Sequence, residues 1–96
     1  MAEITKDMKK QILDAAERTV CQDWQDVYGR SENNFALIAD LWSTYLDRAV
    51  MAEDVAVMMC LLKIARIKTG KFKLDNYVDL AGYAACAAAI GGPESV

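Results

Sequence analysis

The sequence has no histidine, one proline and five glycines among its 96 residues. Without histidine, the chain lacks the commonest general base and metal ligand of proteins. It also lacks a P-loop, a glycine-rich dinucleotide fingerprint, a nucleophile elbow, and the CxxC and HExxH motifs. We therefore expect no enzyme activity, no catalytic residues, no metal site and no cofactor.

Long uncharged apolar segments are also missing, which argues against a membrane span, since a span needs ~20 nearly uncharged residues. The N-terminal segment lacks the apolar run of a secretion signal. The net charge of −3 argues against general binding to the phosphate backbone of nucleic acids. Three cysteines, an odd number, are expected to be reduced: Cys21, Cys60 and Cys86. These features predict a cytoplasmic protein that binds neither a membrane nor nucleic acid.

The most apolar stretch of the chain is the segment from residue 52 to residue 67. Twelve of its sixteen residues are apolar, and they are distributed around every side of a helix. A helix that is apolar all round is buried in a core or a membrane, and charged residues interrupt this one. The pattern predicts a buried central helix over residues 52–68.

Hydrophobic periodicity predicts three further helices, over residues 5–20, 32–47 and 76–90. Ser31 and Asp75 are expected to cap the second and the last of them. The connections between successive helices are short, so neighbouring helices should pack side by side. The predicted fold is therefore all-α: a single domain, residues 1–96, built as a compact bundle of about four helices.

The apolar content is high enough to predict an oligomer. It amounts to 54% of the residues, more than a chain of this length needs for its own core. The helix over residues 76–90 is rich in alanine, and small side chains let helices approach closely. We expect a dimer or a higher homo-oligomer, with Ala84, Ala85 and Ala88 or their neighbours at the contact.

Two large aromatic residues, Trp24 and Tyr28, lie in a segment, residues 21–30, that breaks the helical pattern. The segment predicts a loop that ends at Gly29, with Arg30 directly after it. One interpretation is that both aromatic side chains fold back as a lid over the core. The other is that one of them stacks on a planar ligand such as a nucleobase.

Basic residues are concentrated around the end of the central helix. Five of the eleven Lys and Arg residues lie between positions 63 and 73, and no acidic residue lies between Asp54 and Asp75. In an acidic protein, this concentration marks a local positive surface.

Two of these cations, Lys63 and Arg66, lie on one side of the central helix. Asn76, Asp79 and Tyr83 share a face of the last helix and should meet them in an antiparallel pair. One interpretation is an interhelical ion pair between Arg66 and Asp79, because a partly buried cation requires a partner. The other is that one or both cations bind a ligand, and the two interpretations are compatible.

Carboxylates that could bind magnesium were compared with those of phage and bacterial all-α nucleotide pyrophosphatases. Those enzymes use a helical ExxE motif followed by ExxD. Asp23 and Asp26 have the first spacing with different residues, no ExxD follows, and Asp75 and Asp79 are four apart. The carboxylates that bind magnesium in those enzymes are therefore missing, and we do not expect pyrophosphatase activity on this ground.

Four stretches combine in a distinctive way: residues 25–29 (QDVYG), 34–42 (NFALIADLW), 54–66 (DVAVMMCLLKIAR) and 75–84 (DNYVDLAGYA). With them, the chain from about residue 12 to residue 90 resembles a family of small phage and prophage proteins known as a domain of unknown function. The resemblance implies an early phage accessory protein made in the bacterial cytoplasm. It implies no particular chemistry.

In its small size, its expected oligomeric state and its basic and aromatic residues, the chain is also similar to phage sponge proteins. These are small oligomers that sequester the nucleotide signals of bacterial defence systems such as Thoeris and CBASS. The similarity implies an anti-defence protein that binds an ADP-ribose-type or cyclic nucleotide signal without cleaving it. A degenerate relative of the pyrophosphatases, and a helical module that binds and inhibits a host protein, are the alternatives. The expected ligand-binding residues are Trp24, Tyr28, Arg30, Lys63, Arg66, Asn76, Asp79 and Tyr83.

Overall fold

The chain is helical throughout the part that the structure, a computed structural model, describes, which is residues 2–92 with side chains from residue 7. The helices are α1 (Ala2–Arg18), α2 (Trp24–Tyr28), α3 (Ser31–Leu46), α4 (Ala52–Thr69) and α5 (Leu74–Gly91). A π-helical turn, Thr19–Asp23, joins α1 to α2 without a break. The predicted all-α fold is confirmed, and four helical rods form it because α1, the π turn and α2 are continuous.

The segment predicted to be a loop, residues 21–30, is helical as far as Tyr28. The break in the hydrophobic pattern has a different cause from the one expected. A π turn adds a residue to the helical repeat, so the side chains after it point in a new direction. The prediction of a loop is therefore wrong, although the predicted end of the segment at Gly29 is confirmed by its φ of 78°.

The two predicted helix caps are also wrong. Helix α3 begins at Ser31 with Arg30 in the N-cap position, and α5 begins at Leu74 with Lys73 in that position. Neither helix has a side-chain hydrogen bond at its cap. The backbone is extended at Arg30 and Lys73, so both helices begin earlier than the predicted caps Ser31 and Asp75 implied.

The core lies where α3, α4 and α5 meet. Its most buried side chains are Phe35, Ala39, Val55, Ala56 and Cys86. The connection between α3 and α4 is closed by a pair of hydrogen bonds: the Ser43 hydroxyl donates to the Val50 carbonyl (3.1 Å) and accepts from the Val50 N–H (2.8 Å). Asp47, at the end of α3, adopts a left-handed conformation with φ 52° that turns the chain towards α4.

Helix α4 packs against both α3 and α5, whereas α5 also contacts α1 and the π turn. Helix α4 buries Val55, Ala56 and Lys63 against its neighbours. Another side of α4 carries apolar residues that stay exposed. The prediction that α4 is buried all round is therefore wrong within one chain, because the other described helices do not surround it. Among residues 2–92, no helix is long and apolar enough to cross a membrane.

Candidate functional site

A cavity of about 390 Å³ lies between α2, α3, α4 and α5. Five of its twelve lining residues are aromatic: Trp24, Tyr28, Phe35, Trp42 and Tyr83. Its polar groups come from Ser31, Asn34 and Asp79. Val55 and Met59 of α4 line it from the core side. A mostly apolar pocket with a few convergent polar groups is the usual form of a small-molecule site.

Three aromatic rings form a contiguous cluster in this wall. The ring centroids of Trp24 and Tyr83 are 4.7 Å apart with planes tilted by 39°, and those of Phe35 and Tyr83 are 6.1 Å apart. These spacings are in the range of favourable aromatic pairs. Trp24 therefore folds back on the core, as the interpretation of the two aromatic residues as a lid predicted. Tyr28 does not, because it remains 63% exposed beside the cavity.

Close packing of α5 against the π turn places Trp24 in the wall. At Gly82 of α5, an added Cβ would lie 2.8 Å from Cγ2 of Val20 and 3.6 Å from the Trp24 ring. Only a residue without a side chain allows this approach. The Trp24 ring also packs on Tyr83, the residue after Gly82.

The charged group in the cavity wall is the Asp79 carboxylate, and it is paired with Lys63 at 2.9 Å. The two side chains are only 11% and 22% exposed. The sequence prediction that Arg66 would be the partner is wrong. Because α5 begins at Leu74, two residues earlier than expected, Asp79 lies level with Lys63 in the antiparallel pair.

Arg66 and Asn76 lie in a second, adjoining region of the α4–α5 pair. With Lys71 and Lys73 they line a recess of about 270 Å³ at the loop end of these helices. Asn76 is buried and Arg66 is exposed. The two regions follow each other along the same helices, since Met59 and Tyr83 belong to the cavity and Arg66 and Asn76 to the recess.

Arg30 lies at the rim of the cavity rather than in its wall. Its chain neighbours Gly29 and Ser31 line the cavity, while its side chain is exposed and contacts Glu32 at 3.3 Å. The structure thus brings Trp24, Tyr28, Asp79 and Tyr83 together, with Lys63 behind Asp79.

Burial affects the ionisable groups near the cavity. It raises the pKa of Tyr83, and the Asp79 carboxylate adds to this effect while Arg66 opposes it. Burial likewise raises the pKa of the Cys86 thiol, against a hydrogen bond with Ser31 that lowers it. At neutral pH the wall therefore presents a protonated phenol beside a carboxylate, a combination that can both donate to and accept from a polar ligand edge.

Sequence reasoning identified four of the twelve residues that line the cavity. Phe35, Ile38 and Trp42 recur at helical spacing, which predicts core residues, and they are core residues whose outer edges also line the cavity. Asn34 offered a weak signal as the polar residue directly before Phe35. Among residues 7–92, whose side chains the structure describes, there is no group of three or more Cys, Asp and Glu residues placed to hold a metal ion.

Comparisons with known proteins give the family. The model of a domain of unknown function (DUF6378) matches residues 11–91. The chain is 40% identical over 79 residues to the Gene 55 protein of Mycobacterium phage D29, covering 82% of this chain and 52% of that protein. It is 45% identical over 75 residues to the Gene 55 protein of Mycobacterium phage L5, covering 76% of this chain and 47% of that protein.

The chain spans about half the length of these curated relatives. No solved structure matches it. The family model covers most of the chain and nearly the same residues as the resemblance found in the sequence, and the relatives come from phages. The chain belongs to the DUF6378 family, and the predicted relation to phage proteins of unknown function is confirmed.

Proposed function

We propose that the protein binds a nucleotide-derived small molecule and sequesters it without cleaving it. The observation that carries the proposal is the aromatic cavity with one carboxylate in its wall, followed along α4 and α5 by a basic recess. A nucleotide has the matching order of groups: a flat base, a ribose with hydroxyls, and phosphates.

The cavity suits the base. Its volume of about 390 Å³ is in the ~300–1,000 Å³ range of small-molecule pockets. Tyr28, exposed at the cavity, can stack on a planar ring at little cost, because its side chain has few rotatable bonds. The Asp79 carboxylate and the Asn34 amide can bind the amino and imino groups of a base edge or the hydroxyls of ribose.

The recess suits the phosphates. Arg66 lies seven residues after Met59, ~10 Å along a helix axis, which is about the reach of a nucleotide from base to phosphate. Its guanidinium can bind a phosphate through two hydrogen bonds, and Lys71 and Lys73 add charge beside it. Lys63 lies behind Asp79 and holds that carboxylate in the cavity wall, where it can bind the ligand.

Phage relatives support a role in infection. A phage protein that captures a nucleotide immune signal, of the ADP-ribose or cyclic nucleotide type, would keep host effectors inactive in the bacterial cytoplasm. Binding alone is sufficient for this role, provided that the protein is abundant and releases the ligand slowly.

The test is depletion of ligand from solution. Purified protein is incubated with a panel of mononucleotides, ADP-ribose compounds and cyclic dinucleotides, and the filtrate is analysed by mass spectrometry before and after heating. We expect one class to be depleted and then released intact. New products would instead indicate an enzyme, and a panel left unchanged would refute the proposal and favour a host protein as the partner.

Two variants locate the site once a ligand is found. Arg66→Ala should weaken binding ~10- to 100-fold, because it removes a charge-assisted contact worth ~1.5–3 kcal/mol. The matched control is Arg48→Ala, because Arg48 is also an exposed arginine and lies between α3 and α4, away from the recess. This variant should bind the ligand as tightly as the parent protein does. Equal binding by both variants would place the phosphates elsewhere.

A further inference from the structure

The outward side of α4 presents a continuous apolar face. We define the α4 face by five side chains that are 39–58% exposed: Val57, Met58, Leu61, Leu62 and Ile64. They cover more than two turns of helix, and Lys63, the one charged residue in that stretch, points inward to Asp79. Among residues 2–92, no other helix covers this side.

The α4 face is large enough to be an interface. Tyr45 and Leu46 of α3 adjoin it through Met58 and are 89% and 51% exposed. Together these seven residues, each 39–89% exposed, form one contiguous and mostly apolar surface. Contiguous exposed apolar patches mark interaction sites on soluble proteins, and a partner of ordinary size would cover this one.

The charges at the two ends of the face are complementary to those of a second copy of the chain. Asp54 lies seven residues before Leu61 and Lys68 lies seven residues after it, and both are exposed. Seven residues are close to two helical turns, so Asp54, Leu61 and Lys68 lie along one line of the helix surface. The acidic end and the basic end are therefore equally far from the centre of the face.

We infer that a second copy of this chain covers the α4 face, with the two α4 helices antiparallel about a two-fold axis at Leu61. In that arrangement, Asp54 of each protomer meets Lys68 of the partner subunit, so the charge pairs form twice. A parallel arrangement would place like charges together. A two-fold interface requires a surface that is complementary to itself, and the face with Asp54 and Lys68 at its ends has that property.

This interface differs from the contact that the sequence predicted at the alanine-rich side of α5. Alanine side chains at positions 84, 85 and 88 offer little area, whereas the α4 face offers leucine, isoleucine and methionine. The inference does not depend on the proposed function. Val55 and Met59, through which α4 lines the cavity, are not part of the α4 face.

The first test is the molecular mass of the full chain by light scattering or sedimentation at micromolar concentration. We expect twice the chain mass of 10.6 kDa. Leu61→Glu should give monomers that keep the helical circular dichroism spectrum. Leu37→Glu is the matched control, since Leu37 on α3 is 59% exposed against 58% for Leu61, and it should remain dimeric. A monomeric parent, a trimer or larger, or a dimeric Leu61→Glu variant would overturn the inference.

The second test addresses the antiparallel register. Asp54→Lys and Lys68→Asp should each weaken the dimer at least ~10-fold at low salt, because each places two pairs of like charges together. The double variant, and an equimolar mixture of the two single variants, should restore the affinity, since opposite charges then meet again. Failure of both to restore it would overturn the antiparallel register even if the parent is a dimer.

Discussion

The ion pair between Lys63 and Asp79 allows a quantitative test of the packing between α4 and α5. The pair is 2.9 Å long, and its side chains are 11% and 22% exposed. Lys63→Met keeps most of the apolar stem of the side chain and removes the charge. The variant leaves the Asp79 carboxylate without its cation in the cavity wall.

We expect Lys63→Met to lower the free energy of unfolding by ~2–3 kcal/mol. Removing one partner of a fully buried pair costs ~3–5 kcal/mol, and the cost here is smaller because Asp79 keeps some exposure to a cavity that water can enter. In a domain of this size, such a loss lowers the melting temperature by ~10–20 °C.

The double variant Lys63→Met/Asp79→Leu should recover most of that stability. Replacing a buried ion pair with apolar side chains of similar volume is often neutral or stabilising, because no charge remains to be desolvated. The two single variants should therefore be strongly non-additive, with a coupling energy above ~1 kcal/mol.

Urea unfolding followed by tryptophan fluorescence measures these changes, since Trp24 and Trp42 both line the cavity. The internal control is Lys10→Met, because the Lys10–Asp14 pair is shorter, at 2.7 Å, but its side chains are 77% and 51% exposed. We expect no resolvable change in its urea midpoint. Equal losses in the two lysine variants, or a double variant that loses the sum of the single losses, would refute the reasoning.

Three further predictions concern the surroundings of the cavity. Gly82→Ala should destabilise the protein by ~1–3 kcal/mol, because its Cβ would lie 2.8 Å from Val20 Cγ2; an unchanged melting temperature would contradict this contact. The free energy of unfolding should fall as pH rises above tyrosine's ordinary pKa of 10.0, since burial raises the pKa of Tyr83 in the folded state. Tyr83→Phe should reduce that fall in urea titrations at several pH values. Cys86, which is buried, should react with iodoacetamide more slowly than exposed Cys21, and mass spectrometry of the labelled peptides would reveal the opposite order.

The sequence was sufficient to place α3 and α4 to within one residue. Helix α4 was predicted over residues 52–68 and ends at Thr69, and α3 was predicted over residues 32–47 and spans Ser31–Leu46. The start of α5 was placed two residues late, because Asp75 resembles an N-cap and the true cap position is held by Lys73. Because of that error, Arg66 was predicted as the partner of Asp79, whereas the partner in the structure is Lys63.

The exposed side of α4 could not be separated from its buried side by composition. Leu61 and Val55 are both apolar residues in the middle of an apolar helix, yet one is 58% exposed and the other is fully buried. Only the positions of α3 and α5 distinguish them. An apolar surplus in a short chain predicts an interface, but its location depends on which helices cover each side.

Asp79 and Tyr83 were predicted from their shared helix face, and the other predicted residues of the cavity were predicted because they disturbed a pattern. Trp24 and Tyr28 were noticed because they follow a break in periodicity, whereas Phe35 and Trp42 fitted the periodicity of α3 and were assigned to the core. A π turn and a loop produce the same break in the sequence, since a residue added to the repeat shifts all later side chains around the helix. The sequence therefore indicated where the helix becomes irregular, but it could not show whether the chain forms a loop or a π turn there.

That π turn connects the fold to the candidate site. In a regular helix running from α1 through α2, Val20 and Trp24 would lie four residues apart on nearly the same line. Across the turn over residues 19–23, both side chains still approach Gly82, and the Trp24 ring also packs on Tyr83. The wall of the cavity thus depends on an irregular turn and on one glycine facing it. Because π turns are frequent at functional sites, this dependence supports assigning ligand binding to the aromatic cavity.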